Sequence, residues 1–181
     1  METYKKNWLK FVTGLVVCLL VRLLPFRPPN IEPILAVQMP FSKVYGAYVG
    51  FLFAILSIVL YDLITGTLGM WSLVTAGAYG VLGLGAAVYF KKNNANVWGF
   101  VRYAIFGTLF FDAVTGLTVG PLLFHQSFAS ALVGQIPFTM MHLLGNVSFA
   151  VLLSPAIYSF MIKKKKSETK LLINTLNPQK I

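Results

Sequence analysis

The run Tyr48-Val49-Gly50-Phe51-Leu52-Phe53-Ala54-Ile55-Leu56-Ser57-Ile58-Val59-Leu60-Tyr61-Asp62-Leu63-Ile64-Thr65-Gly66 decides the fold. A bilayer span needs about 20 predominantly apolar residues in a helix, and this run supplies them. Its ending is unusual, because Asp62 stands where a membrane helix should close, followed by Thr65 and Gly66. A second apolar run closes the same way, at Phe111-Asp112-Ala113-Val114-Thr115-Gly116. Apart from Glu32, these aspartates are the only carboxylates between the two ends of the chain. Ionisable groups in so apolar a chain are costly, so each calls for a cap, a partner or a ligand.

Composition sets the solvent. The chain has 181 residues, 57% of them hydrophobic and 11% charged, with a mean hydropathy of +0.74. A water-soluble domain has no way to bury that much apolar surface, so lipid surrounds most of the chain. The net charge of +10 lies in short runs beside apolar segments: Lys5, Lys6 and Lys10; Lys91 and Lys92; Lys163, Lys164, Lys165 and Lys166. That pattern orients a membrane protein and leaves no aromatic-interleaved basic surface for nucleic acid. The single Cys18 lies inside an apolar run, which excludes a disulfide framework or a thiolate metal site. The basic, then apolar N-terminus lacks a small-residue cleavage site and reads as a retained first helix.

The expected fold class is all-α: a polytopic six-helix transmembrane bundle with spans at about 7–24, 32–43, 44–61, 71–90, 97–116 and 135–162. These form one transmembrane domain, 1–162, followed by a basic tail, 163–181, suited to anionic lipid headgroups. The break Pro25-Phe26-Arg27-Pro28-Pro29-Asn30 ends the first span, because proline fixes φ and lacks a donor. The second span is too short to cross alone, so it is tilted or is a half-span buried by its neighbours. Residues 117–134, with Gly120-Pro121 and His125-Gln126-Ser127, read as a partly buried loop or short interfacial helix. Six crossings from a cytoplasmic N-terminus place Lys43, Lys91, Lys92, Arg102 and the 163–166 lysines inside, leaving only Arg22 and Arg27 outside. Asp62, Asp112, Trp71, His125 and the proline-rich loop then share the outer face, and both termini are cytoplasmic.

Three polar patterns stand out. Gln135, Thr139, His142 and Asn146 recur at steps of four, three and four, so they share one helix face. Such a stripe faces the protein interior, either as interhelical hydrogen bonding or as substrate contact. Trp71, Thr75 and Tyr79 make a second face, readable as an interfacial aromatic belt or as a wall for a planar ligand. Gly46 and Gly50 on the third span, with Gly77, Gly80, Gly83 and Gly85 on the fourth, allow helices to approach closely. The repeated Asp-x-x-Thr-Gly ending reads as helix termination. An aspartate at a helix C-terminus opposes the dipole, however, so a cation such as Arg27, loop amides or a ligand should also satisfy it.

Enzymatic readings fare poorly. Intramembrane aspartyl proteases pair a Tyr-Asp with a Gly-x-Gly-Asp. Tyr61-Asp62 matches the first, but Phe111-Asp112 lacks the glycines, and Gly83-Leu84-Gly85 is followed by Ala86. The chain has no His-Glu-x-x-His, no Gly-x-Ser-x-Gly and no Walker-type phosphate loop, so it is not expected to be an enzyme or to hydrolyse ATP itself. No cofactor and no metal site are expected.

The run Arg22-Leu23-Leu24-Pro25-Phe26-Arg27-Pro28-Pro29-Asn30-Ile31-Glu32-Pro33, then a glycine-bearing third span ending in Asp62, resembles the substrate-binding (S) components of energy-coupling factor (ECF) transporters. The stretch from Gln135-Ile136-Pro137-Phe138 through His142-Leu143-Leu144-Gly145-Asn146 to Pro155 is similar to their last helix. The Pro-Pro-Asn pattern is similar to one branch of that superfamily, and the resemblance covers roughly residues 8–162. It implies capture of a vitamin or similar micronutrient from outside a cell, with docking onto a coupling transmembrane protein driven by two ATPase subunits. It points to Arg27, Asn30, Trp71, Thr75, Tyr79, His142 and Asn146 as substrate contacts, joined by Gln135 and Thr139 from the stripe. Asp62, Asp112 and His125 become outer-rim or structural candidates. The family's Ala-x-x-x-Ala docking surface on the first helix is only approximated here, by Gly14 and Cys18, which with Gly46 and Gly50 are candidates for packing or docking. Two other functions fit the same residues: a stand-alone proton-coupled carrier, or a structural membrane protein whose polar stripe only joins helices.

Overall fold

The structure, a computed structural model, describes residues 2–28 and 30–176, with side chains over 8–28 and 30–162. Pro29 of the Pro-Pro-Asn pattern and the side chains of the 163–166 lysine run lie outside the described residues. The described chain is helical, with no strand: α1 (Glu2–Arg22), α2 (Ile34–Tyr45), α3 (Ala47–Thr65), α4 (Met70–Lys92), α5 (Val97–Gly116), α6 (Val119–Leu123) and α7 (Phe128–Leu176). Four segments are long and apolar enough to cross a membrane: Ala47–Thr65, Met70–Lys92, Val97–Leu123 and Phe128–Ile162. Large apolar side chains such as Trp98, Phe106, Val133 and Leu152 stand exposed on their outer faces. This is an all-α membrane bundle.

Successive helices alternate in direction. α2 and α4 end together, where Lys43 Nζ donates to the Phe90 carbonyl and complements the C-terminal end of α4. α1, α3 and α5 end at the opposite pole, where α4 and α7 begin. The sequence-expected loop at 117–134 contains α6, and α7 begins at Phe128, ahead of the expected 135. Its helical backbone also continues to Leu176, beyond the expected end of the domain at 162.

α2 is the centre of the bundle. At 12 residues it is about 18 Å long, well short of the ~30 Å hydrocarbon core. Every residue from Ile34 to Ser42 is buried, and the helix packs among α3, α4 and α7. Pro40 cannot donate to the carbonyl of Ala36, and Ser154 Oγ of α7 donates to that oxygen instead, at 2.7 Å. Gln38 Nε2 donates to the carbonyls of Tyr79 (2.7 Å) and Gly50 (3.2 Å), tying α2 to α4 and α3.

Glycine allows these contacts. A Cβ at Gly83 would lie 2.6 Å from the Gly50 carbonyl carbon and 2.4 Å from Gln38 Nε2, so the backbones of α3 and α4 nearly touch there. Gly14 does the same for α1, since a Cβ would fall 2.8 Å from the Phe41 ring. Cys18 is fully buried, so both candidate docking residues of α1 face inward and serve packing. Gly46, at φ 97°, is the hinge between α2 and α3.

The two Asp-x-x-Thr-Gly endings diverge. Gly66 is left-handed (φ 70°, ψ 21°), and the Thr67 amide donates to the Asp62 carbonyl at 2.8 Å while the Gly66 amide reaches Leu63, a Schellman closure. Gly116 remains helical, and α5 passes through Leu117 into α6. Its lack of a side chain serves another need, because a Cβ would sit 1.7 Å from Gln135 Oε1. Thr65 and Thr115 do keep one shared role: each hydroxyl donates to the carbonyl four residues back.

Candidate functional site

At the pole where α1, α3 and α5 end, the helix termini surround a cavity of about 410 Å³. Trp71, Thr75 and Tyr79 line it from one face of α4, so the spacing read from the sequence is a cavity wall. α7 supplies Gln135, Phe138 and His142; α5 supplies Phe111 and Thr115; α3 supplies Ile58 and Asp62. The loop after α1 contributes Asn30, whose φ of 64° turns the chain at the rim.

Arg27 does not line the cavity. Its guanidinium donates to the carbonyls of Arg22 (Nε, 3.2 Å) and Ile31 (Nη1, 3.0 Å) and lies 3.6 Å from Glu32, so it braces the loop that carries Asn30. Arg22, marked in the sequence only as an outer cation, is the deeper group. It is buried, donates to the Ser57 carbonyl at 2.6 Å, approaches Glu32 at 3.4 Å and stacks 3.8 Å from the Tyr61 ring centroid.

The stripe on α7 divides by depth. Gln135 faces the cavity and donates to Thr139 Oγ1 at 3.2 Å, whereas Thr139 itself does not line the cavity. Asn146, one turn below His142 and away from the cavity, donates from Nδ2 to Thr108 Oγ1 at 2.8 Å and joins α7 to α5. His142 stands between the two regimes. Its Nδ1 is 2.7 Å from Asp112 Oδ1, and its Nε2 is 3.2 Å from the Tyr79 hydroxyl. In the tautomer whose Nδ1–H donates to Asp112, Nε2 accepts from the Tyr79 hydroxyl. Asp112, Tyr79 and His142 are all nearly inaccessible, so this is a buried hydrogen-bonded relay that runs from the cavity wall at Tyr79 and His142 to Asp112.

Asp62 lies in the wall and is only 2% exposed, so it belongs to the cavity and not to an outer rim. His125, exposed at φ 53° between α6 and α7, is outside the lining. Phe111, Phe138, Phe124, Thr115 and Gln126 also reach the cavity, and sequence reasoning missed them. A usable signal was Phe138, four residues before His142 on the same face; its ring meets the imidazole edge-on at 5.8 Å. Phe111 packs on Tyr79 at 4.2 Å and edge-on to His142 at 5.5 Å, making one aromatic wall from three helices.

Among the described residues no cluster of three or more His, Cys, Asp or Glu is placed to hold a metal ion. No protein-family model matches the chain, and comparisons with curated proteins and with solved structures gave no match. The fold and cavity define an α-helical membrane protein with a pocket of mixed aromatic and polar lining at one pole of its bundle.

Proposed function

We propose that this protein captures a small molecule from one side of a membrane. The observation that carries the reading is the convergence of Trp71, Tyr79, Phe111 and Phe138 with Asn30, Asp62, Gln135 and His142 around one cavity of about 410 Å³. That volume falls within the ~300–1,000 Å³ usual for ligand pockets. Polar side chains are expensive inside a membrane bundle, and most helix-joining needs here are met by Gln38, Tyr103, Asn146 and Ser154. Asn30, Asp62 and Gln135, which join no two helices, are therefore in excess of what packing requires.

The sequence resemblance to S components supports the reading that this capture serves an ECF-type importer of the cell membrane, with both termini cytoplasmic. The ligand would be vitamin-sized and taken from the outer face, and the partners a coupling membrane protein with two ATPase subunits. The test is native mass spectrometry of the purified protein. A small molecule retained at near one-to-one ratio, and lost in Trp71→Ala, supports capture; ligand-free protein under every mild extraction opposes it. Stimulated uptake on co-expression with a coupling protein and paired ATPases tests the importer.

One observation favours a second reading. The Asp112–His142–Tyr79 relay supplies a buried path of titratable groups, as a proton-coupled carrier needs. Uptake by proteoliposomes holding this protein alone, driven by a pH gradient, would favour that reading over the importer.

A further inference from the structure

Asp62 is the one carboxylate at this pole left without a partner among the described residues. Arg22 is held by Ser57, Glu32 and Tyr61, and Arg27 by two loop carbonyls and Glu32. Asp112 is engaged by His142. Among the described residues Asp62 makes no ion pair, and its Oδ2 is buried with no hydrogen-bond partner there, although the residue lines the cavity. A buried carboxylate left so is strongly unfavourable unless something in the cavity compensates it. Its place in the last turn of α3, beside the carbonyl end of the helix, deepens the negative potential.

Arg22 and Glu32 line the cavity too, and there the guanidinium is offset by its own carboxylate at 3.4 Å, which leaves Asp62 as the uncompensated charge. Trp71, Tyr79, Phe111 and Phe138 add aromatic rings to the lining, whose quadrupoles attract positive charge. Hard metal ions require several oxygen ligands, and among the described residues no group of three or more His, Cys, Asp or Glu converges to hold one. We infer that the cavity takes a small organic cation, an amine or ammonium compound with an aromatic or heteroaromatic body. Its charged nitrogen lies at Asp62 and its body lies against Trp71, Tyr79 and Phe111. The inference rests on the capture reading above and names the ligand class of the same cavity.

The experiment uses the full-length protein in nanodiscs. Any molecule that co-purifies is extracted and identified by mass spectrometry. Binding of tryptamine, indole-3-propionamide and indole-3-propionate, which share a ring system and differ in charge, is then measured by calorimetry. The expected result is a co-purified amine or ammonium compound, together with tryptamine binding at least about tenfold more tightly than either analogue. Asp62→Asn should erase that preference. A neutral or anionic co-purified molecule, or tryptamine binding no better than its analogues, overturns the cation assignment and leaves capture standing. Should no molecule co-purify and no probe bind, capture fails and the assignment with it. The three-probe comparison on the unaltered protein decides the matter even if Asp62→Asn does not fold.

Discussion

Nδ1 of His142 lies 2.7 Å from Oδ1 of Asp112, joining α7 to the last turns of α5 inside the bundle. Both residues are almost fully buried, and the second oxygen of Asp112 has no other hydrogen-bond partner. His142→Ala therefore strands a carboxylate and also frees the Tyr79 hydroxyl. A loss of about 3 kcal/mol is expected, read as a lower Tm in detergent. Adding Asp112→Asn to His142→Ala should recover part of it, because an amide is cheaper to bury than a charge. Equal melting of the single and double variants would contradict this account.

The α3–α4 crossing gives a sharper steric test. A Cβ at Gly83 meets backbone atoms of Gly50 at 2.6 Å, and one at Gly77 meets nothing within 4 Å. Gly83→Ala should force the helices apart and cost about 1–3 kcal/mol or more. Gly77→Ala, on the same helix, should be neutral or stabilising by about 0.5–1 kcal/mol, since alanine favours helix. Thermal unfolding of the pair checks both signs.

These positions mark how far sequence carries. Apolar run length located the helices, and glycine density on spans three and four announced the close crossing at Gly50 and Gly83. The period of 3.6 put Trp71, Thr75 and Tyr79 correctly on one face. Depth along a face is another matter: Gln135 and Asn146 have equal claims in the pattern, yet only Gln135 reaches the cavity. Phe111 carried no signal of its own, because a cavity-facing phenylalanine and a lipid-facing one look alike within an apolar run. The endings at Gly66 and Gly116 match in sequence and differ in backbone: the first is left-handed, and the second stays helical with Gln135 packed against it.

Trp71 and Asn146 should separate ligand binding from stability. Trp71 lines the cavity and remains partly exposed, so Trp71→Ala is expected to weaken ligand retention about tenfold with little change in Tm. Asn146 is buried and bonded to Thr108 away from the cavity. Asn146→Ala should cost about 1–2 kcal/mol of stability and leave retention intact. Parallel melting curves and mass-spectrometric retention assays distinguish the two; a retention defect in Asn146→Ala at unchanged Tm would move the site deeper into the bundle.

The left-handed Gly66 offers a purely conformational test. A Cβ there would touch nothing within 4 Å, so any penalty for Gly66→Ala comes from φ 70° alone. About 1 kcal/mol is expected from placing a side chain in that region. Because the Thr67 amide bonds the Asp62 carbonyl through this turn, loosening it should also blunt ligand binding at Asp62. Gly66→Asn, which tolerates the left-handed conformation better, should recover both Tm and binding. If alanine and asparagine behave alike, the Schellman closure does not set the position of Asp62.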